Sequence, residues 1–173
     1  MNLRIARASA EALAQRGGNA IPVPVEDLAG MLGLRVLYRD LDPDLSGALV
    51  VGPRESYILV QQRDSENRQR FTIAHEIGHH CLGHQFARGE HVHVDHGHHI
   101  SLRGPRAAAG LDAKEIEANQ FAASLLMPAV AVRAHADQLG GPPLRDRAVS
   151  ELAERFAVSE QAMTIRLDVL GLL

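Results

Sequence analysis

The chain has 173 residues, of which 46% are apolar and 23% are charged, proportions that suit one globular domain with a buried core. Its formal net charge of −3 argues against non-specific nucleic-acid binding as the main role. Cys81 is the single cysteine, which excludes an intrachain disulfide and favours a reducing compartment. The sequence has no apolar core of signal-peptide length at its start and no stretch that could span a bilayer, so we expect a cytoplasmic protein.

Apolar spacing predicts short helices and strands before residue 65. Helices are predicted over residues 3–16, which end at a Gly-Gly pair, and over residues 25–32, which end at Gly33. Three apolar runs then predict strands, over residues 34–38, 45–52 and 56–61. The turn between the last two runs contains Gly-Pro, so we expect these strands to form a hairpin.

The rest of the chain is mostly predicted to be helical. Asp64 or Ser65 can cap a helix that runs to about Leu82, before the helix-stop signal of Gly83. A further helix is predicted over residues 112–127, which ends at Pro128. Two more helices are predicted over residues 145–156 and 159–170.

The predicted helix after residue 65 contains the pattern H-E-x-x-H. Residues i and i+4 project from one helix face, so His75 and His79 can share one tetrahedral cation, with Glu76 beside it to accept a proton. In a chain with ten histidines, chance is the alternative. However, the apolar flanks predict a buried helix, in which His and Glu side chains are costly unless they have a function. Gly78 costs the helix about 1 kcal/mol relative to alanine, which suggests close packing at this position.

A catalytic zinc usually has three protein ligands. The metzincin pattern would place its third histidine at position 85, where this chain has Gln85. Glu117, on the next predicted helix, is followed at i+4 and i+8 by apolar residues and so lies on an inward stripe. We predict Glu117 as the third ligand, whereas Glu115, about 200° away around the helix, is expected to be solvated.

Two blocks of the sequence resemble the ImmA/IrrE family of metallopeptidases. They are residues 68–79, around H-E-x-x-H, and residues 115–128, which contain Glu-Ala-Asn-Gln-Phe-Ala-Ala and Leu-Leu-Met-Pro. The blocks match in order and spacing, and the resemblance covers roughly residues 20–130. We therefore expect an α+β, zincin-like single domain over residues 1–173, with a small sheet packed on the active helix and a C-terminal helical segment over residues 140–173.

The resemblance implies a zinc-dependent endopeptidase with one Zn²⁺ per chain. His75, His79 and Glu117 would be the zinc ligands and Glu76 the catalytic base. The zinc-bound water, with a pKa of about 7, would lose its proton to Glu76. Family members cut, or regulate by cutting, helix-turn-helix repressors, often in stress-response or toxin-antitoxin loci, so a repressor or antitoxin is the expected substrate.

Several residues and alternatives stay open at this stage. Arg103 or a histidine of residues 91–99 is a candidate for stabilising the oxyanion. Residues 91–102 alternate in a way that predicts a β-hairpin, which could cover the zinc, bind a second metal or present a solvated face. His80 and His84 are expected on the helix face away from the ligands.

Two rival functions are a non-catalytic, zinc-stabilised sensor and a DNA-binding regulator. The last two predicted helices have the outline of a helix-turn-helix. However, residues 145–173 carry four Arg against five Asp or Glu, so direct nucleic-acid binding is not favoured.

Overall fold

A computed structural model of the chain describes residues 2–84, 92–95 and 111–173. Within them, the helices and strands follow one another as α1 (Leu3–Arg16), α2 (Val25–Met31), β1 (Leu34–Arg39), β2 (Gly47–Val51), β3 (Ser56–Gln61), α3 (Glu66–Cys81), β4 (Val92–Asp95), α4 (Leu111–Leu126), α5 (Ala129–Gln138), α6 (Asp146–Phe156) and α7 (Glu160–Leu170). The α+β prediction is confirmed. The division into a core and a C-terminal segment stays a prediction.

The four strands form one mixed sheet in the order β1-β3-β2-β4. The expected hairpin is present, since β2 pairs with β3 antiparallel. β1 pairs with β3 in parallel, and β4 pairs with β2 antiparallel at the far edge. β4 is one strand within the predicted hairpin of residues 91–102. The rest of that hairpin, with its other histidines, and Arg103 lie outside the described residues.

Helix α3 carries H-E-x-x-H and packs against the sheet. It begins where expected, because the Ser65 side chain accepts a hydrogen bond from the Arg68 N–H at 3.4 Å. A Cβ on Gly47 of β2 would collide with Thr72 Cγ2 and would lie 2.8 Å from the Leu59 carbonyl oxygen. Only glycine therefore allows the strand and the helix to approach this closely.

Helix α4 packs along α3, also at a glycine. A Cβ on Gly78 would lie 3.1 Å from Phe121 Cβ, and Phe121 is fully buried. The close packing expected at Gly78 is thus confirmed, and it brings the middle of α4 to the turn of α3 that carries the two histidines.

The C-terminal helices attach to this centre through α4 and α5. Pro128, expected to end α4, also begins α5 as its N-cap, a helix that the apolar spacing did not predict. Ala157 adopts a left-handed conformation (φ 50°) between α6 and α7, and the Ser159 side chain caps α7. No helix among the described residues is long and apolar enough to cross a membrane.

Candidate metal centre

Three side chains converge where α3 and α4 meet. His75 Nε2 and His79 Nε2 lie 3.0 Å apart, and Glu115 oxygens lie 3.2 Å from the first and 3.4 Å from the second. One ligand atom from each residue falls within 4.8 Å of the others. The two histidines are buried and Glu115 is partly exposed.

The structure corrects the expected arrangement of the two glutamates on α4. Glu115, expected to be solvated, reaches the histidine pair, whereas Glu117 is not brought into that group of three. The Glu117 carboxylate instead contacts His84 Nε2 at 3.2 Å and accepts a hydrogen bond from the Asn2 backbone N–H. The apolar stripe that follows Glu117 packs into the core, but the face of α4 toward the ligands is the one shared by Glu115 and Asn119, one turn apart.

Asn119 is a member of the site that the sequence reasoning missed. Its Oδ1 lies 3.0 Å from His75 Nδ1. An amide oxygen can only accept, so His75 donates from Nδ1 and the neutral ring keeps its lone pair on Nε2, toward His79 and Glu115. Asn119 lies four residues after Glu115, and residues with this spacing share one helix face. This spacing could have predicted that Asn119 belongs to the site.

His84 is the second missed member, and the structure places it beside the ligands rather than on the opposite face. Helix α3 ends at Cys81, and Gly83 adopts a left-handed conformation (φ 63°) that turns the chain back. As a result, His84 Nδ1 lies 3.0 Å from Nδ1 of His79, one of the three side chains that could hold a cation. Extending the helix past its stop signal gives the wrong direction for this side chain.

Two pKa shifts describe the surroundings of His84. Burial lowers the pKa of His84, and the hydrogen bond to Glu117 opposes that shift. The Asn2 N–H lowers the pKa of the Glu117 carboxyl, assisted by His84 and opposed by burial. The surroundings thus favour a neutral imidazole beside an ionised carboxylate.

Glu76 follows the first histidine on α3 and is fully buried. His80, the last histidine of the hexapeptide, is exposed, in agreement with its predicted position away from the ligands. A carboxyl group in the interior is costly unless it has a use, and this one lies within one turn of both histidines. The site thus combines a possible cation-binding group with a buried carboxyl group beside it.

Comparison with known proteins agrees with the motif. Residues 29–168 match the Peptidase M78 family, described as the IrrE N-terminal-like domain, and the chain belongs to this family. A Mycobacterium tuberculosis transcriptional regulator has a similar fold, with a TM-score of 0.62 and 17% sequence identity. The match covers 94% of this chain but 46% of that one, so the chain spans less than half of the regulator's length. No curated protein matches the chain significantly.

Proposed function

We propose that the protein is a zinc-dependent endopeptidase. The observation that supports this most directly is the convergence of His75, His79 and Glu115 beside the buried Glu76. Two imidazoles and a carboxylate are the donor set of many catalytic zinc sites, which keep a further position for water. The donors fit Zn²⁺, and we propose Glu115 as the third ligand in place of Glu117.

The residues of the chain have separate roles in this proposal. Bound zinc would acidify a water molecule and polarise the scissile carbonyl. Glu76 accepts the proton of the attacking water and returns it to the leaving amine. Asn119 holds the His75 ring in the tautomer that presents Nε2 to the metal. Burial of both histidines limits competition from bulk water.

The proposed substrate is a helix-turn-helix repressor or antitoxin in the cytoplasm. Support comes from the resemblance of the two sequence blocks to the ImmA/IrrE family and from family membership. The similar fold of a protein described as a transcriptional regulator is compatible with a role in transcription. A connection to stress response or to a toxin-antitoxin pair belongs to the same proposal.

Direct DNA binding is less well supported. Arg166 is the one basic residue of α7, the helix that would read the DNA, and it is 4% exposed. Its Nε donates to the Met127 carbonyl at 3.0 Å, and Nη2 lies 3.9 Å from Glu11. A cation held in the interior cannot contact phosphate, so α7 lacks the basic surface that a recognition helix needs.

The mutation Glu76→Gln tests the proposed chemistry. The variant should fold and retain one zinc per chain, because Glu76 is not in the proposed ligand set, but cleavage of a candidate helix-turn-helix repressor should fall at least about 100-fold. Cleavage would be followed by mass spectrometry of the fragments, and metal content by elemental analysis.

Two control variants accompany this test. Glu115→Ala should lose tightly bound zinc together with cleavage, whereas His80→Ala, which changes an exposed neighbour, should keep both. Undiminished cleavage by Glu76→Gln would rule out the proposed base. Full zinc content in Glu115→Ala would rule out the proposed third ligand.

A further inference from the structure

We infer that His84 and Glu117 form a positioning relay that holds His79 in its metal-binding tautomer. The relay runs from the Glu117 carboxylate through the His84 ring to the outer nitrogen of His79, over contacts of 3.2 Å and 3.0 Å. It gives the second histidine ligand the kind of support that Asn119 gives the first. The inference rests on the proposed zinc site and extends it to residues outside the ligand set.

The direction of proton donation follows from the metal end of the relay. The proposed zinc needs the lone pair of His79 Nε2, the atom that lies 3.0 Å from His75 Nε2 and 3.4 Å from Glu115. The proton of the His79 ring is then on Nδ1, which donates to His84 Nδ1. His84 in turn donates from Nε2 to Glu117, whose carboxylate oxygen accepts. One arrangement of protons therefore satisfies every contact of the relay and directs the lone pair of His79 Nε2 at the metal position.

The three side chains of the relay are largely buried. The side chains are 0% exposed at His79, 6% at His84 and 17% at Glu117. Glu117 is anchored from its other side by the Asn2 backbone N–H, so the start of α1 also takes part in its placement. Outer contacts of this kind orient a ligand ring and raise its basicity, and their loss typically lowers metal affinity about 10- to 100-fold.

The test measures zinc affinity by competition with a chromophoric chelator, with no substrate present. His84→Ala should still bind one zinc per chain but about 10- to 100-fold more weakly than the unmodified protein. Glu117→Gln should weaken binding in the same direction. His80→Ala is the matched control, since it removes an exposed histidine of the same helix, and its affinity should be unchanged.

Two further measurements separate positioning from simple structural damage. The double variant of His84→Ala with Glu117→Gln should bind zinc no more weakly than His84→Ala alone, because both act through His79. In NMR spectra of the zinc form, the His79 Nδ1–H resonance should be protected from exchange in the unmodified protein and in His80→Ala, and lost in His84→Ala. His84→Gln, whose side-chain oxygen can accept that proton, should recover part of the affinity.

Three results would overturn the relay. They are equal affinity in His84→Ala and His80→Ala, additive losses in the double variant, and loss of zinc in His84→Ala as complete as in His79→Ala, which would make His84 a ligand. If the unmodified protein bound no zinc, the proposed function would fail as well. If it bound zinc and showed the relay but cleaved no repressor, only the proposed function would fail.

Discussion

At the scale of single residues, a tyrosine–carboxylate pair joins α2 to β1. The Tyr38 hydroxyl donates a hydrogen bond to Glu26 Oε1. Burial, then this hydrogen bond and the negative charge of Glu26, raise the pKa of Tyr38 to about 12. The folded protein therefore keeps this phenol neutral at a pH where an unfolded chain, with a tyrosine pKa of about 10, would ionise it.

The shift predicts a loss of stability at alkaline pH. The contribution of Tyr38 is fully present below about pH 10 and declines as the pH rises toward about 12, because only the unfolded state releases the proton. Urea denaturation over this range should show a steeper decline in the free energy of unfolding for the unmodified protein than for Tyr38→Phe. Parallel pH profiles for the two proteins would contradict the assignment.

The same scale shows which site residues could be predicted from the sequence. His75, Glu76 and His79 lie on adjacent turns of one helix, so their spacing alone predicts their relation. The choice between Glu115 and Glu117 depends on how α4 is rotated against α3. That rotation is set by Phe121 packing at Gly78, a tertiary contact that apolar spacing along one helix does not specify.

At the scale of elements, the contact between β2 and α3 depends on the absence of one side chain. In Gly47→Ala, the new methyl group would meet Thr72 Cγ2 and the Leu59 carbonyl, and the backbone oxygen cannot move without disturbing the β2–β3 pairing. We expect the free energy of unfolding to fall by about 1–3 kcal/mol, measured by urea denaturation.

Gly30→Ala in α2 is the matched control for this substitution. A Cβ there meets no atom within 4 Å, and alanine favours the helix, so this variant should be unchanged or up to about 1 kcal/mol more stable. Equal stabilities of the two alanine variants would show that the strand can move away from the helix without cost.

Element boundaries are well predicted where capping chemistry is local, as at Ser65, Gly33 and Ser159. Helix α5 is missed when Pro128 is interpreted only as a stop. Proline is equally suited to the beginning of a helix, where its missing N–H has no partner to lose. The parallel pairing of β1 with β3 is also not predicted, since it joins strands that are not consecutive in the chain.

At the scale of the whole molecule, Arg166 connects three parts of the chain. From α7 it donates to the carbonyl of Met127, just after α4, and it lies near Glu11 of α1. Burial removes the Arg166 guanidinium from water and thereby lowers its pKa. The C-terminal helices are thus fixed to the rest of the fold by a polar contact as well as by apolar packing.

Arg166→Met should lower the free energy of unfolding by about 1–3 kcal/mol, because it leaves a carbonyl in the interior without its donor. Arg133→Met is the matched control. It removes an exposed arginine that donates to the Leu170 carbonyl at 2.8 Å, where water can replace it, and should change stability by less than about 1 kcal/mol. Similar losses in both variants would mean that the position of Arg166 in the interior has no special importance.

The position at which helix α3 ends, just before Gly83, affects which side chains reach the candidate metal centre. Gly83 lies in open space with a positive φ, so its importance is conformational rather than steric. If the helix continued past this position, His84 would be carried around the axis and away from His79. A substitution outside the proposed ligand set, and without any clash, would thereby alter the candidate metal centre. The residue at which this helix ends therefore helps to decide which side chains surround the proposed metal position.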